Sequence, residues 1–254
     1  RTPNLLDRLR VHIAWRCDGG RPLIDAVNQE FPPPPARVLD VGCGNGTLAA
    51  ALRDRGYDVT GVEPDPAARA VAAGRGLTVF AGTAEQLPTE LAGRVFDVVV
   101  MSHVLEHCVD PLAALHNAAA LLAATGRLVV EVPNNEAIGL SRAGATWSWL
   151  DVPRHVNFFT TGSLMSCCRR AGLAHVSTAY AGYCRQLNND WIETEQRIWD
   201  RFAELAPPVT LPPRNGAWRA WGLLLRTAWA APARKYDSVR IVAVRSQTGA
   251  PASR

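Results

Sequence analysis

The stretch "RVLDVGCGNGTLAAAL", residues 37–52, decides how this 254-residue chain is read. Apolar residues run up to Val41, glycines alternate at 42, 44 and 46, and a segment with helical spacing starts at Thr47. A strand, a bare loop and a helix in immediate succession present backbone, and the positive end of a helix dipole, to whatever binds there. A dinucleotide-binding fingerprint, G-x-G-x-x-G, places its third glycine three positions after the second. Here that position is Thr47, the glycine falls at 46, and Asp40 precedes the first glycine by two.

Outward from this loop, strand-like and helix-like segments alternate. Strands are expected at 37–41, 58–62, 78–81, 96–101, 128–132, 174–180 and 240–245, and helices at 47–55, 66–75, 111–123 and 161–171. Runs such as "VFDVVVM" lack polar alternation, as in strands covered on both faces. The pattern predicts an α/β fold: a doubly wound, Rossmann-like, seven-stranded and mostly parallel sheet with helices on both faces. Residues 1–35 read as a helical segment followed by a proline linker, 36–181 and 238–246 as the core, and 182–237 as a helical insertion before the last strand. That insertion holds Trp191, Trp199, Trp218, Trp221 and Trp229, and in it Trp218, Trp221, Leu225 and Trp229 share one helical face. The plainest expectation is that this face packs on the core. A cap over an apolar substrate, or contact with a membrane surface, are the functional alternatives.

With 48% apolar and 20% charged residues the chain is expected to bury a substantial core. It has neither the roughly 18–20 apolar residues of a membrane span nor the hydrophobic region of a signal peptide, so a cytoplasmic protein is expected. Arg1 stands where a start methionine would, so upstream sequence is expected to be missing. A net charge of +4 is small for this length and calls for no nucleic-acid partner. The six cysteines form no C-x-x-C pair and read as reduced thiols. No metal site is expected: His103 and His107 stand at i,i+4, but no further ligand is placed near them.

Each expected strand end adds chemistry. "VTGVEPD" delivers Glu63 and Pro64; Glu63 lies 23 residues after Asp40, where a carboxylate can accept both hydroxyls of a ribose. "AGTAEQLP" places Thr83, Ala84 and Glu85 for contact with an adenine edge, and Ser102 and His103 close the fourth strand. All four strand ends project to one sheet edge, where such folds bind ligands.

This set of motifs resembles the class I S-adenosylmethionine-dependent methyltransferases. "VLDVGCGNG", "FDVVVMSHVLEH" and "PRHVNFFT" are most similar to the small-molecule enzymes of the ubiquinone-biosynthesis-like group. The resemblance covers about residues 36–181 and resumes near Val239. It implies S-adenosylmethionine as cofactor and S-adenosylhomocysteine as product. It also implies that Asp40, Gly42 and Gly44 line the methionine portion, that Glu63 takes the ribose, that Ala84 and Glu85 lie by the adenine, and that Cys43, Pro64, Thr83, Ser102 and His103 border the cofactor as well. Thr83 stands where that family often has Asp. A sulfonium donor has no phosphates but carries a carboxylate and an ammonium, which call for backbone amides and a nearby acid; Gly42, Gly44 and Asp40 offer that combination.

Methyl transfer is an in-line displacement, so the protein must chiefly align the acceptor and remove its proton. His155 and His103 are the candidate bases. His103 can instead position the donor, and His155 can instead hold its loop through a backbone carbonyl. Around His155, Trp147, Trp149, Arg154 and Phe158, with Phe159, are expected to enclose a substrate, although Arg154 can pair simply with Asp151. Glu131, Asn134 and Asn135 are further acceptor-side candidates. The expected function is O-methylation of a small aromatic, glycosidic or lipid-like acceptor. The alternatives are N- or C-methylation of a small metabolite, a nicotinamide-dependent oxidoreductase and a non-catalytic donor-binding module.

Overall fold

The computed structural model describes residues 4–205 and 211–246. Two helices open the described chain, α1 (Leu5–Cys17) and α2 (Leu23–Glu30). An alternating run follows: β1 (Arg37–Val41), α3 (Thr47–Arg53), β2 (Asp58–Val62), α4 (Pro66–Gly74), β3 (Thr78–Phe80), β4 (Phe96–Ser102), α5 (Pro111–Ala120) and β5 (Leu122–Pro133). Then come α6 (Ile138–Ala143), α7 (Thr161–Arg170), β6 (Leu173–Ala181), α8 (Asn189–Leu205), α9 (Ala217–Thr227), α10 (Pro232–Lys235) and β7 (Ser238–Arg245).

The seven strands form one sheet in the order β3-β2-β1-β4-β5-β7-β6. β1 pairs in parallel with β2 and β4, β2 with β3, and β4 with β5. Strand order reverses between β1 and β4, and in sheets of this kind the crevice at that point receives ligands. Local chemistry sets the helices there: Asp65 caps α4 by accepting from the Ala67 amide, Asp110 caps α5 by accepting from Leu112 and Ala113, and a proline opens each helix. One expected helix is shorter than its alanine-rich sequence suggested. Leu122 begins β5 rather than ending a helix at 123, because it pairs with Phe96 and the strand then shifts register so that Arg127 meets Val98.

The chain divides into two compact units. One, holding nearly all of the sheet, comprises Leu23–Val132, Gly162–Ala179 and the described residues from Arg240 on; the other comprises the described residues up to Pro22, Pro133–Thr161 and Tyr180–Val239. These bounds differ from breaks at 35, 181 and 237, and packing explains the difference. Leu23, Val27 and Phe31 of α2 bury into the sheet core with Val38, Val98, Val100 and Val129, at about 1.5–3 kcal/mol for each large side chain. Residues after β5 cluster instead with the insertion: Trp147 packs with Ala137 and Ala143, and Trp191 joins them.

The insertion does not turn its tryptophan face inward. Ala220, Leu224 and Thr227 are the buried residues of α9, whereas Trp218 and Trp229 are 83% and 87% exposed and Leu225 is also exposed. The expectation that this face packs on the core is therefore corrected; Trp221 alone of the four is partly buried, against the cluster around Ala14, Tyr183 and Leu224. Among the described residues, no helix is long and apolar enough to cross a membrane.

Candidate functional site

In the sheet unit, Asp40 on β1 and Glu63 just past β2 are both buried. Glu63 spans the glycine loop and the next one: its Oε2 accepts from the Gly44 amide at 2.8 Å and its Oε1 from the Asp65 amide at 2.9 Å. A carboxylate has about four acceptor sites, so two bonds leave capacity for further donors. Arg69 of α4, which the sequence reading passed over, steadies this turn by donating to the Glu63 carbonyl at 2.8 Å and the Pro64 carbonyl at 2.6 Å.

Asp40 is the unusual group. Its Oδ2 is buried with no hydrogen-bond partner, and burial, reinforced by the Glu63 charge, pushes its pKa up to about 7. Buried polar atoms are nearly always satisfied, and an orphaned carboxylate oxygen calls for a donor, best a cation.

Backbone amides are used differently from the expectation. The Gly42 and Cys43 amides both donate to the Val62 carbonyl, at 2.7 and 3.1 Å, and the Gly46 amide donates to Cys43. These amides tie the loop to β2 rather than awaiting a carboxylate. The glycines serve shape: Gly42 has φ +69° and a Cβ there would lie 2.5 Å from Cγ2 of Val104, while Gly44, at φ +54°, faces nothing within 4 Å. Open space beside Gly44 and the orphaned oxygen of Asp40 fit a ligand that approaches bare backbone and carries a positive charge. Cys43 is buried with its Sγ near Gly61, and burial first, then the Asp40 and Glu63 charges, push its thiol up to about 12, which keeps it inert.

At the third strand end, Thr83 accepts through Oγ1 from the Gln86 amide at 2.9 Å, so its side chain closes a turn. Ala84 is buried, and Glu85 accepts from the Asp110 amide at 2.9 Å. Asn117, another residue absent from the sequence reading, donates to the Ala84 and Glu85 carbonyls at 3.0 and 2.9 Å and fixes this loop to α5.

Ser102 ends β4, and His103 follows in a left-handed conformation, φ 56°. Its Nδ1 lies 3.2 Å from Oε1 of Glu106, and its Nε2 3.6 Å from Oε1 of Glu131. Arg240 continues the row, donating to Glu131 at 2.8 Å and to Glu30 at 3.0 Å. Burial opposes a charge on His103, but the Glu106 and Glu131 hydrogen bonds outweigh it and lift the imidazole to about 9. An imidazolium held between two carboxylates cannot accept a proton, so this geometry favours the positioning role over that of general base. Against burial, His103 and Arg240 keep Glu131 below its ordinary range, so Glu131 is committed to this row.

The second unit holds the remaining candidates. His155 is buried, its Nδ1–H donates to the Trp149 carbonyl at 2.7 Å, and its ring stacks on Trp149 at 6.0 Å. The carbonyl-anchored arrangement, one of the two left open by the sequence, is the one adopted. Trp147 is 1% exposed, and Trp149 meets Trp191 edge-on at 5.8 Å with the Arg185 guanidinium 4.7 Å over its ring. Both indoles pack inside this unit. Arg154 pairs with Asp151 at 3.0 Å, Phe159 is buried and Phe158 is exposed. Asn134 is fully buried, donating to the Ala233 and Tyr236 carbonyls at 2.7 and 2.8 Å, and Asn135 donates to Phe159. These asparagines hold backbone, which corrects their acceptor-side assignment.

A doubly wound sheet with this strand order, a glycine loop without a pyrophosphate fingerprint and acids at the first two strand ends define the class I methyltransferase architecture. The chain belongs to the methyltransferase-domain family, whose model matches residues 15–178. It is 37% identical over 149 residues to a ubiquinone biosynthesis O-methyltransferase of Cereibacter sphaeroides (strain ATCC 17025), covering 54% of this chain and 60% of that protein. It is 31% identical over 179 residues to the protein of that name from Xanthomonas axonopodis pv. citri, covering 63% of this chain and 74% of the relative. Among solved structures, an S-adenosylmethionine-dependent methyltransferase from Thermotoga maritima superposes with a TM-score of 0.58 at 21% identity, over 94% of this chain and 91% of that one. The first of these matches spans less than two thirds of its relative's length.

Proposed function

We propose that this protein transfers a methyl group from S-adenosylmethionine to an oxygen of a small acceptor. The buried, partnerless carboxylate oxygen of Asp40, with the open backbone of Gly44 in the loop that follows it, carries the reading. Asp40 receives the ammonium of the donor's amino-acid end, and Glu63, with acceptor capacity beyond its two amide bonds, takes the ribose hydroxyls. The Thr83–Glu85 loop, held by Asn117, borders the adenine. When bound, the donor supplies an activated methyl carbon. Aligning the acceptor and receiving its proton fall to the protein.

His103 holds its charge between two carboxylates and acts by position, orienting Glu106 and Glu131. His155 belongs to the other unit and holds its loop there through the Nδ1–H bond to the Trp149 carbonyl. Oxygen as the methylated atom is supported by the relatives named as O-methyltransferases. The family assignment sets aside the nicotinamide-dependent alternative.

The test is incubation with S-adenosylmethionine and a panel of hydroxylated aromatic and lipid-like acceptors, read by mass spectrometry for methyl ethers. The expected result is ether formation that Asp40→Asn, which removes the charge facing the donor's ammonium, slows at least tenfold at limiting donor. Donor binding without transfer to any oxygen would overturn the proposed reaction while leaving the donor site standing.

A further inference from the structure

Surface helices bury their apolar stripe and show polar residues to water. α9 does the reverse at its outer face. Thr227 is buried, its hydroxyl donating to the Leu223 carbonyl at 2.7 Å, while Trp218 and Leu225 stand outward at i and i+7 and Trp229 is exposed in the turn after the helix. Trp218 and Leu225 lie about 10 Å apart along the helix.

Beside these residues runs a row of arginines. Arg219 and Arg226 come from α9 itself, and Arg142 comes from α6, which packs against α9. Gly222 makes room for the last of these: a Cβ there would lie 3.3 Å from an Arg142 guanidinium nitrogen. Arg219 donates to the Arg142 carbonyl at 2.9 Å, so the two segments are tied. Burial, then the charges of Arg219 and Arg226, lower the Arg142 guanidinium from its ordinary range, so the three cations lie close enough to feel one another. α9 contains no acidic residue. The acid that feels Arg219, Glu195, is engaged by Trp191 and Asn215. α1, which contacts α9, repeats this chemistry on its exposed residues: Leu5, Leu9 and Trp15 with Arg8 and Arg16.

We propose that α9 and the turn after it, with Arg142, Arg219 and Arg226 beside the exposed tryptophans, seat on the surface of an anionic phospholipid bilayer. Indoles favour the headgroup boundary, and arginines pair with lipid phosphates next to them. A second copy of the chain fits less well, because a two-fold interface on this patch sets like charges against each other. The helix lies on the membrane rather than crossing it, since its eleven residues are too short to span.

The full chain is sedimented, without donor, with vesicles of phosphatidylcholine alone and of phosphatidylcholine with 30% phosphatidylglycerol, at low and high salt. The expected result is binding to the anionic vesicles, weakened by salt and at least tenfold weaker on neutral ones. The double variant Trp218→Ser/Trp229→Ser, which alters only exposed positions and is checked by circular dichroism, loses at least tenfold. Arg226→Glu loses at least fivefold. Absence of vesicle binding, or binding that neither variant changes, would overturn the proposal. A dimer seen by light scattering and abolished by the double variant, with no vesicle binding, would assign the face to a second copy instead.

Discussion

Nδ1 of His103 lies 3.2 Å from Oε1 of Glu106, and its Nε2 faces Glu131, so the imidazole at the end of β4 is clamped between two buried carboxylates. The folded protein lifts it to about 9 from an ordinary 6.5. Below pH 6.5 folded and unfolded chains both carry the proton and the clamp contributes fully. As pH rises from 6.5 through 9 only the folded chain holds it, and the contribution is lost. NMR of the histidine ring protons should give a midpoint for His103 near pH 9; a midpoint near 6.5 would dissolve the clamp.

Arg240 joins Glu131 and Glu30 from the last strand. Arg240→Met leaves Glu131 buried and Glu30 half-buried beside an apolar side chain and should destabilise the protein by about 3 kcal/mol in denaturant unfolding. Replacement by Lys, a single point charge in place of a planar fork, should recover part of that loss.

Asp40 has the opposite linkage. Its pKa is about 7 in the folded protein against 3.8 ordinarily, so between about pH 4 and 7 the folded chain alone keeps the proton and stability falls as pH rises. Asp40→Asn should therefore stabilise the ligand-free protein at pH 8, by up to about 4 kcal/mol, while removing the charge that holds the donor's ammonium. In the wild type, affinity for S-adenosylhomocysteine should drop as pH falls below 7. A variant that is both less stable and unchanged in affinity would refute this role.

The loop glycines separate folding from binding. At Gly46 an added Cβ meets Leu77 and Ala72, whereas at Gly44 it meets open space. Gly46→Ala should lower the melting temperature by several degrees through clash and backbone strain. Gly44→Ala carries only the backbone cost of about 1–2 kcal/mol, yet fills the donor's side of the loop and should weaken donor binding by more than its stability loss.

Much of this was legible in the chain. β1 and β2 have the bounds read from the apolar runs, and Asp40 and Glu63 were found from their spacing to the glycines. Local propensity misled at Leu122, where alanine-rich sequence reads as helix and pairing with Phe96 decides otherwise. Glu106 stands three residues from His103 and could have been read as its partner; Arg240 lies too far along the chain for any local signal. On α9 the periodicity rightly paired Trp218 with Leu225, but Trp221 turns toward the Leu224 cluster and Trp229 falls past the helix end, and periodicity does not say which way a face points. Trp147 and Trp149 illustrate the same limit: aromatic residues near a candidate histidine build a core as readily as a pocket.

The donor site is tested most directly by calorimetric titration of S-adenosylhomocysteine into the wild type and Glu63→Ala at pH 8. Saturable one-to-one binding, weakened about tenfold to a hundredfold in the variant, is the result expected from losing charge-assisted hydrogen bonds to the ribose. No heat from S-adenosylhomocysteine in a protein that binds a reduced nicotinamide dinucleotide, or affinity indifferent to Glu63, would contradict the account.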